Sequence, residues 1–212
     1  MVSKYQFQKS SLYYPKTNIP KNHLEITDWG LLSEIEAELL NAAYIEYSQL
    51  ITPNTLFDLD FFVGLHHNTF YSLYDWAGII RTENMSKGDS LFCQAAFLPK
   101  ELNKLFSQLA TEHYLKEAAQ ISTTTFAKRI AYYQCELITL HPFYELNGRI
   151  TRLFFDLLAL INGYQPIDYE LTLANNNQPQ VYIQASIECV QFANNHKLLN
   201  IILNGLNKLE NP

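Results

Sequence analysis

Apolar residues recur at helical spacing along most of the chain. After Thr27 or Asp28, either of which can cap a helix, the stretch WGLLSEIEAELLNAAYIEYSQL carries apolar side chains three and four positions apart. The pattern therefore predicts a long first helix. Similar patterns predict further helices over residues 59–80, 100–117, 123–140, 149–161 and 180–206. These patterns indicate an all-α protein built as a helical bundle.

The organisation along the chain is simple. Residues 1–26 are mostly polar, contain Pro15 and Pro20, and are interpreted as an extended lead-in. No internal repeat is present, and no linker is long enough to divide the chain. We therefore expect a single domain over residues 1–212, with a C-terminal helical segment at 180–206.

One stretch breaks the helical pattern. Arg81 to Cys93, RTENMSKGDSLFC, has no helical apolar face, and Gly88-Asp89 lies between two short flanks as a hairpin turn would. Taken alone, the pattern fits a short β-hairpin or a surface loop.

Composition and charge exclude several classes of protein. The net charge is −6 and no long Lys/Arg run occurs, which argues against direct binding of nucleic acid. The cysteines, Cys93, Cys135 and Cys189, are odd in number and far apart, so neither a disulfide framework nor a zinc site is indicated. The N-terminus lacks a secretory apolar region, and no run of ~18 uncharged apolar residues follows. We expect a cytoplasmic protein with no membrane partner.

The stretch LITLHPFYELNGRITRLFFDLL, residues 137–158, carries the candidate chemistry. Asn147 is a good N-cap, so a helix is predicted to begin at Gly148 or Arg149, with an anion site at its first N–H groups. Arg149 and Arg152 are three positions apart and should project from one face of that helix. Two arginines beside a helix N-terminus suit a di- or triphosphate, although solvated arginines would give the same pattern.

The residues before this helix strengthen the phosphate hypothesis. Pro142 forces His141 out of helical conformation, so the preceding helix should end there and leave the imidazole beside the phosphate site. Glu145 would repel phosphate unless Mg²⁺ lay between them. Phe143, apolar between polar neighbours, should anchor the loop in the core. A different possibility is a metal site formed by His141 and Glu145 with a remote ligand, His66 or His67.

This stretch resembles a known signature. HPFYELNGRITR is similar to the Fic domain motif, H-x-F-x-(D/E)-G-N-(G/K)-R-x-x-R, and matches at His141, Phe143, Glu145, Asn147, Gly148, Arg149 and Arg152. Two earlier blocks, YYPKTNIPKNHLEITDW and LHHNTFYSLYDWAGIIRTENMSKGDSLFC, also resemble the standalone, cell-filamentation type of Fic protein. The resemblance runs from about Tyr13 to Gly163.

The resemblance implies a fold and an activity. Fic proteins are helical, bind ATP with Mg²⁺ and transfer AMP to a hydroxyl of a target protein. By similarity, His141 would be the general base and Glu145 would hold Mg²⁺. The phosphates would be bound by Asn147, Gly148, Arg149 and Arg152. Residues 81–93 would form a β-hairpin flap over the active site that docks an extended target segment by strand addition. The docking residues would be Glu83, Asn84, Met85, Ser86, Lys87 and Gly88.

One departure from the motif affects the expected activity. The family usually has Gly where this chain has Leu146. If the turn requires a positive φ, Leu costs about 1–2 kcal/mol relative to Gly. The alternative to an active enzyme is therefore a catalytically weak Fic-fold protein that binds nucleotide or regulates.

Regulation can also be predicted from the sequence. The family's inhibitory motif, (S/T)-x-x-x-E-(G/N), does not occur in this chain. By resemblance, the protein would be a toxin restrained by a small separate antitoxin, and type II topoisomerase subunits would be candidate targets.

Overall fold

The computed structural model describes residues 6–7, 12–173 and 180–209. Its helices are α1 (Trp29–Leu50), α2 (Leu59–Phe70), α3 (Leu98–Thr111), α4 (Lys116–Ile121), α5 (Thr123–Leu140), α6 (Asn147–Ile161), α7 (Glu170–Leu173), α8 (Val181–Phe192) and α9 (His196–Gly205). Three short strands, β1 (Gln6–Phe7), β2 (Met85–Lys87) and β3 (Ser90–Leu91), complete the fold. The predicted helical class with a short hairpin is confirmed.

Side-chain caps explain where the long helices begin. Asp28 accepts a hydrogen bond from the backbone N–H of Leu31 at 2.8 Å, so α1 starts where the sequence predicted. Ser122 caps α5 in the same way through the N–H of Thr125, at 3.0 Å. The start and end of α5 also agree with the prediction.

Other predicted boundaries are wrong. The second helix ends at Phe70, and the chain turns through Gly78, whose φ is +76°. A Cβ at Gly78 would lie 2.6 Å from that of His67, so the turn packs closely on α2. The C-terminal segment is two helices, because Ala193 adopts a left-handed conformation with φ of 50° and ends α8. The helix predicted over residues 100–117 likewise ends at Thr111, because His113, Tyr114 and Leu115 have positive φ and α4 begins only at Lys116. Helical periodicity continued across all of these breaks.

The lead-in is folded back on itself instead of being extended throughout. Tyr13 and Pro20 form an antiparallel bridge, and the N–H of Lys21 donates to the carbonyl of Leu12 at 2.8 Å. Turn residues between them reverse the chain. Residues 1–5 and 8–11 of the predicted lead-in lie outside the described residues.

Helix α6 occupies the centre of the bundle. Helices α1, α2 and α5 pack around it, and almost all of its residues after the first turn are buried. The ring of Phe154 contacts those of Phe57, Phe62 and Phe106 at centroid distances of 5.4–5.7 Å. The N-terminus of α6 is consequently held at a fixed position.

A buried carboxyl on α6 joins distant parts of the chain. Asp156 is 3% exposed, accepts from the hydroxyl of Tyr44 on α1, and accepts from the N–H of Ile167 at 3.0 Å. Burial raises the pKa of Asp156 to about 7. Folding therefore favours the protonated carboxyl near neutral pH.

The hairpin predicted within residues 81–93 is present. Strands β2 and β3 are antiparallel around Gly88-Asp89, and Gly88 has the positive φ, 55°, that such a turn requires. β1 adds to the outer side of β2, giving a three-stranded sheet in the order β1-β2-β3. Within the described ranges, none of the helices has the length and apolar character needed to cross a membrane.

Candidate active site

The loop between α5 and α6 is held in an unusual backbone conformation. As the position of Pro142 predicted, α5 ends at Leu140, and His141 adopts the left-handed region with φ of 48°. Leu146, at the other end of the loop, has φ of 65°. Each such residue costs on the order of 1 kcal/mol, and conformations of this kind concentrate at functional sites. The turn thus requires the positive φ for which the family's usual Gly is suited.

Asn147 does not cap α6 as predicted. Leu146 precedes the helix, and Asn147 is its first residue. The side-chain amide of Asn147 instead accepts from the N–H of Phe143 at 2.8 Å and donates to the Phe143 carbonyl at 2.7 Å. This pair of bonds folds the loop back on the start of α6. The side chain of Asn147 therefore stabilises the loop and does not cap the helix.

Phe143 and His66 hold the loop against the buried core. Phe143 is fully buried and its ring lies 4.0 Å from that of His66. The N–H of Gly78 donates to Nδ1 of His66 at 2.9 Å, so Nε2 carries the proton and donates to the carbonyl of Glu145 at 3.1 Å. Burial lowers the pKa of His66 to about 4, which keeps the ring neutral.

These contacts overturn the hypothesis of a metal site with a remote histidine. Both ring nitrogens of His66 are engaged with backbone groups, and Nδ1 of His67 lies 3.0 Å from the carbonyl of Ala77. Among the residues that the structure describes, no three His, Cys, Asp or Glu side chains form a metal-binding group.

His141 borders a cavity of about 440 Å³, a size typical of ligand pockets. Its ring stacks on that of Phe92 at 3.9 Å. The cavity is lined by the hairpin, the end of α5 and the loop after it, the start of α6, and α8, through Lys87, Gly88, Ser90, Phe92, Ile138, His141, Asn147, Gly148, Thr151, Arg152, Tyr182, Ile183, Ser186, Ile187 and Val190. One end is polar, at the α6 N-terminus, and the α8 side is largely apolar.

The two arginines of the motif point to different places, which corrects the prediction that they share a face. The guanidinium of Arg152 borders the cavity and lies 5.1 Å from the ring centroid of Tyr182 on α8. Arg149 lies outside the cavity lining and donates through Nη1 to Glu36 on α1 at 2.6 Å. Three residues of helix separate the side chains by about 60°, and their different partners separate them further.

Glu145 belongs to a polar cluster on the α1 side of the loop, formed by Tyr13, Glu36, Tyr74, Glu145 and Arg149. Tyr13 donates to Oε1 of Glu145 at 2.7 Å, and Tyr74 donates to the carboxylate of Glu36. Glu145 and Glu36 are almost fully buried, at 4% and 2% of the residue surface exposed. One carboxylate is a suitable protein ligand for Mg²⁺, which is commonly held by one or two carboxylates together with substrate phosphates.

Arg81 connects the hairpin to the histidine loop. It is 1% exposed, and its guanidinium donates to the carbonyls of Glu83, Cys93, Leu140 and His141 at 2.5–3.1 Å. Burial lowers the pKa of Arg81 to about 10, so the group remains charged at neutral pH and suits the negative end of the α5 dipole. Both ends of the hairpin are thereby fixed relative to His141.

Sequence reasoning missed Tyr13, Glu36 and Arg81. Glu36 follows Leu32 by four positions and precedes Ala43 by seven, and all three are buried. A charged residue on the apolar face of a helix is a signal of a buried ion pair that the pattern did offer. Tyr13 and Arg81 offered no comparable signal, because their partners depend on how distant segments meet.

Comparisons with known proteins agree with this geometry. Residues 56–159 match the Fic/DOC family. The Probable protein adenylyltransferase Fic of Salmonella typhimurium is 34% identical over 166 residues, covering 77% of this chain and 79% of the relative. Protein adenylyltransferase VbhT of Bartonella schoenbuchensis is 32% identical over 189 residues, covering 88% of this chain but 37% of that protein.

Solved structures show the same fold. The BepC protein of Bartonella tribocorum with bound AMPPNP has a TM-score of 0.78 at 21% identity, over 94% of this chain and 97% of that one. A Fic domain from Bartonella quintana with bound ADP has a TM-score of 0.77 at 23% identity, over 94% and 95%. The predicted family, fold and enzyme class are confirmed. The chain therefore belongs to the Fic/DOC family and, within it, to the protein adenylyltransferases.

Proposed function

We propose that this protein transfers AMP from ATP to a hydroxyl of a target protein, with His141 as the general base. The observation that supports this most directly is the position of His141 on a cavity that also borders the N-terminus of α6 and Arg152. A base, a helix N-terminus and a guanidinium around one cavity suit attack by a hydroxyl on a phosphate. That AMPPNP and ADP are bound in structures of the same fold agrees with a nucleotide in this cavity.

In the proposed reaction, His141 accepts the proton of the target hydroxyl as its oxygen attacks the α-phosphorus of ATP. The new O–P bond forms while the bond from the α-phosphorus to the bridging oxygen breaks, and pyrophosphate leaves. The proton then passes from the imidazole to water. Arg152 and the N–H groups at Asn147 and Gly148 stabilise the phosphate charge. The apolar side chains of α8 that line the cavity would suit the adenosine part of ATP.

Mg²⁺ would be held by Glu145, together with phosphate oxygens, and would neutralise charge on the leaving pyrophosphate. Tyr13 orients the Glu145 carboxylate. Arg149 lies outside the cavity lining and donates through Nη1 to Glu36, and its remaining N–H donors would contact phosphate. The fully buried ring of Phe143 holds the loop between His141 and Glu145.

For the target, we propose docking by strand addition to the hairpin flap at Glu83, Asn84, Met85, Ser86, Lys87 and Gly88. Type II topoisomerase subunits are the candidate targets by resemblance. The motif missing from the sequence supports inhibition in trans by a small antitoxin. All three cysteines are free thiols, and we propose that the protein acts in a reducing cytoplasm.

Transfer of label from ATP tests the activity directly. The purified chain is incubated with Mg²⁺, ATP labelled at the α-phosphate and a cell lysate, beside the His141→Ala chain. We expect label on protein in the reaction with the wild-type chain and none in the reaction with the His141→Ala chain. Label from γ-labelled ATP would indicate phosphate transfer instead. Nucleotide binding without transfer of either label would favour the regulatory alternative.

A further inference from the structure

The hairpin flap has one edge at which another strand can add. Strand β3 packs against α8, and Gln191 donates to the hydroxyl of Ser90 at 3.3 Å. That side of the hairpin is covered. The other edge belongs to β2, and backbone groups along a strand edge bind an extended segment almost independently of its sequence.

In the structure, the chain itself occupies this edge. β1 pairs antiparallel with β2, with Gln6 opposite Ser86 and Phe7 opposite Met85. The edge therefore accepts an extended segment that runs antiparallel to β2. Because Arg81 fixes both ends of the hairpin to the His141 loop, a segment bound here has a defined position relative to the base.

We propose that the chain's own Gln6–Phe7 regulates target docking, by occupying the β2 edge until a target segment displaces it. The proposal rests on the proposed function in one respect: β1 competes with a target only if the target docks at this edge. A tethered segment acts at an effective concentration on the order of 1 mM. If β1 binds the edge with a dissociation constant of about 0.1 mM, its competition weakens the apparent binding of another segment by about tenfold.

Proline substitutions in the full chain test the occupancy. Gln6→Pro with Phe7→Pro removes two backbone N–H groups and disfavours the strand, whereas Gln6→Ala with Phe7→Ala keeps the backbone. The probe is a labelled synthetic peptide, MVSKYQFQKSSL, with the sequence of residues 1–12. We expect it to bind the proline chain about tenfold more tightly than the wild-type or alanine chain. Equal binding to all three chains would overturn the proposal.

A crosslink tests the register without weakening the strand. Gln6→Cys with Ser86→Cys places the thiols at opposed positions, whereas Gln6→Cys with Lys87→Cys places them one residue apart, on opposite faces of the sheet. Mild oxidation should join the first pair at least tenfold faster than the second, and the joined chain should not bind the peptide until it is reduced. Similar rates for both pairs, or peptide binding by the joined chain, would contradict the proposal.

Neither experiment needs ATP or a turnover. Peptide binding and crosslinking without AMP transfer would therefore leave the docking surface established and the proposed reaction wrong. AMP transfer without either effect would instead support the reaction and refute the docking surface.

Discussion

Replacing Arg149 is expected to lower both the stability of the fold and the affinity for ATP. A double-mutant cycle with Glu36 separates the two effects. The Glu36 carboxyl is 3% exposed and Arg149 is 26% exposed, with nitrogen and oxygen 2.6 Å apart. Removing one partner of a buried ion pair costs about 3–5 kcal/mol. Since Arg149 is partly in water and Tyr74 still donates to Glu36, we expect about 3 kcal/mol for Arg149→Met, at the lower limit of that range.

The double variant, Glu36→Gln with Arg149→Met, removes the buried charge that the single variant leaves without its partner. Its free energy of unfolding should recover about 2 of the 3 kcal/mol. Affinity for ATP should not recover, because the phosphate contact is lost in both chains, and a charge-assisted contact of about 1.5–3 kcal/mol corresponds to tenfold or more. Urea denaturation and calorimetric titration of ATP with Mg²⁺ measure the two quantities.

Glu36→Gln alone is the matched control. The contact with Glu36 engages Nη1 of Arg149, and the guanidinium fork has further N–H donors for phosphate. ATP affinity should therefore change by less than about threefold, well under the tenfold that follows 1.4 kcal/mol. If ATP affinity returns together with stability in the double variant, Arg149 acts only through the fold. If stability does not return, the ion pair is not the source of the loss.

Three further predictions follow from single contacts. Leu146 is 8% exposed, so Leu146→Gly relieves about 1 kcal/mol of backbone strain but loses about 2 kcal/mol of burial, whereas Leu146→Ala keeps the strain and about 0.8 kcal/mol of that burial. Urea denaturation should therefore show similar losses of about 1 kcal/mol for both variants, and a clearly larger loss for Leu146→Gly would exclude strain. Asp156 has a pKa of about 7 when folded against an ordinary value of 3.8, so the native state holds the extra proton and stability falls as pH rises from about 4 to 7. Asp156→Asn should remove a decrease on the order of 4 kcal/mol between pH 4 and pH 8, and an unchanged pH profile would exclude this group. Tyr13→Phe removes the hydroxyl that donates to Glu145 and should raise the Mg²⁺ concentration needed for ATP binding roughly tenfold; an unchanged Mg²⁺ titration would show that Tyr13 does not orient the carboxylate.

Local patterns predicted the helices because their physical causes are local. Caps at Asp28 and Ser122, and Pro142 after His141, act within a few residues, and the structure follows them closely. The boundaries that failed, at Phe70, Thr111 and Ala193, lie where apolar periodicity continues through a turn. Tertiary packing, not periodicity, ends the helix at those positions.

The site was only partly predictable for the same reason. The motif predicted which residues lie near the N-terminus of α6. It did not predict that Asn147 bonds the loop at Phe143, or that Arg149 pairs with Glu36 on α1. The partners of Glu145 and Arg149 are separated from them by 132 and 113 positions in the chain. Pairings over such distances are set when the helices pack, so no local spacing encodes them.

The most direct test of the account compares AMP transfer with ATP affinity in the His141→Ala chain. If the imidazole acts on the attacking hydroxyl, transfer should fall by roughly 10²–10⁴-fold, while the dissociation constant for ATP with Mg²⁺ stays within about threefold of wild type. Unfolding by urea should show that the fold is retained. An ATP affinity that falls in parallel with the rate, or transfer that persists in the folded variant, would contradict the role of His141 as the base.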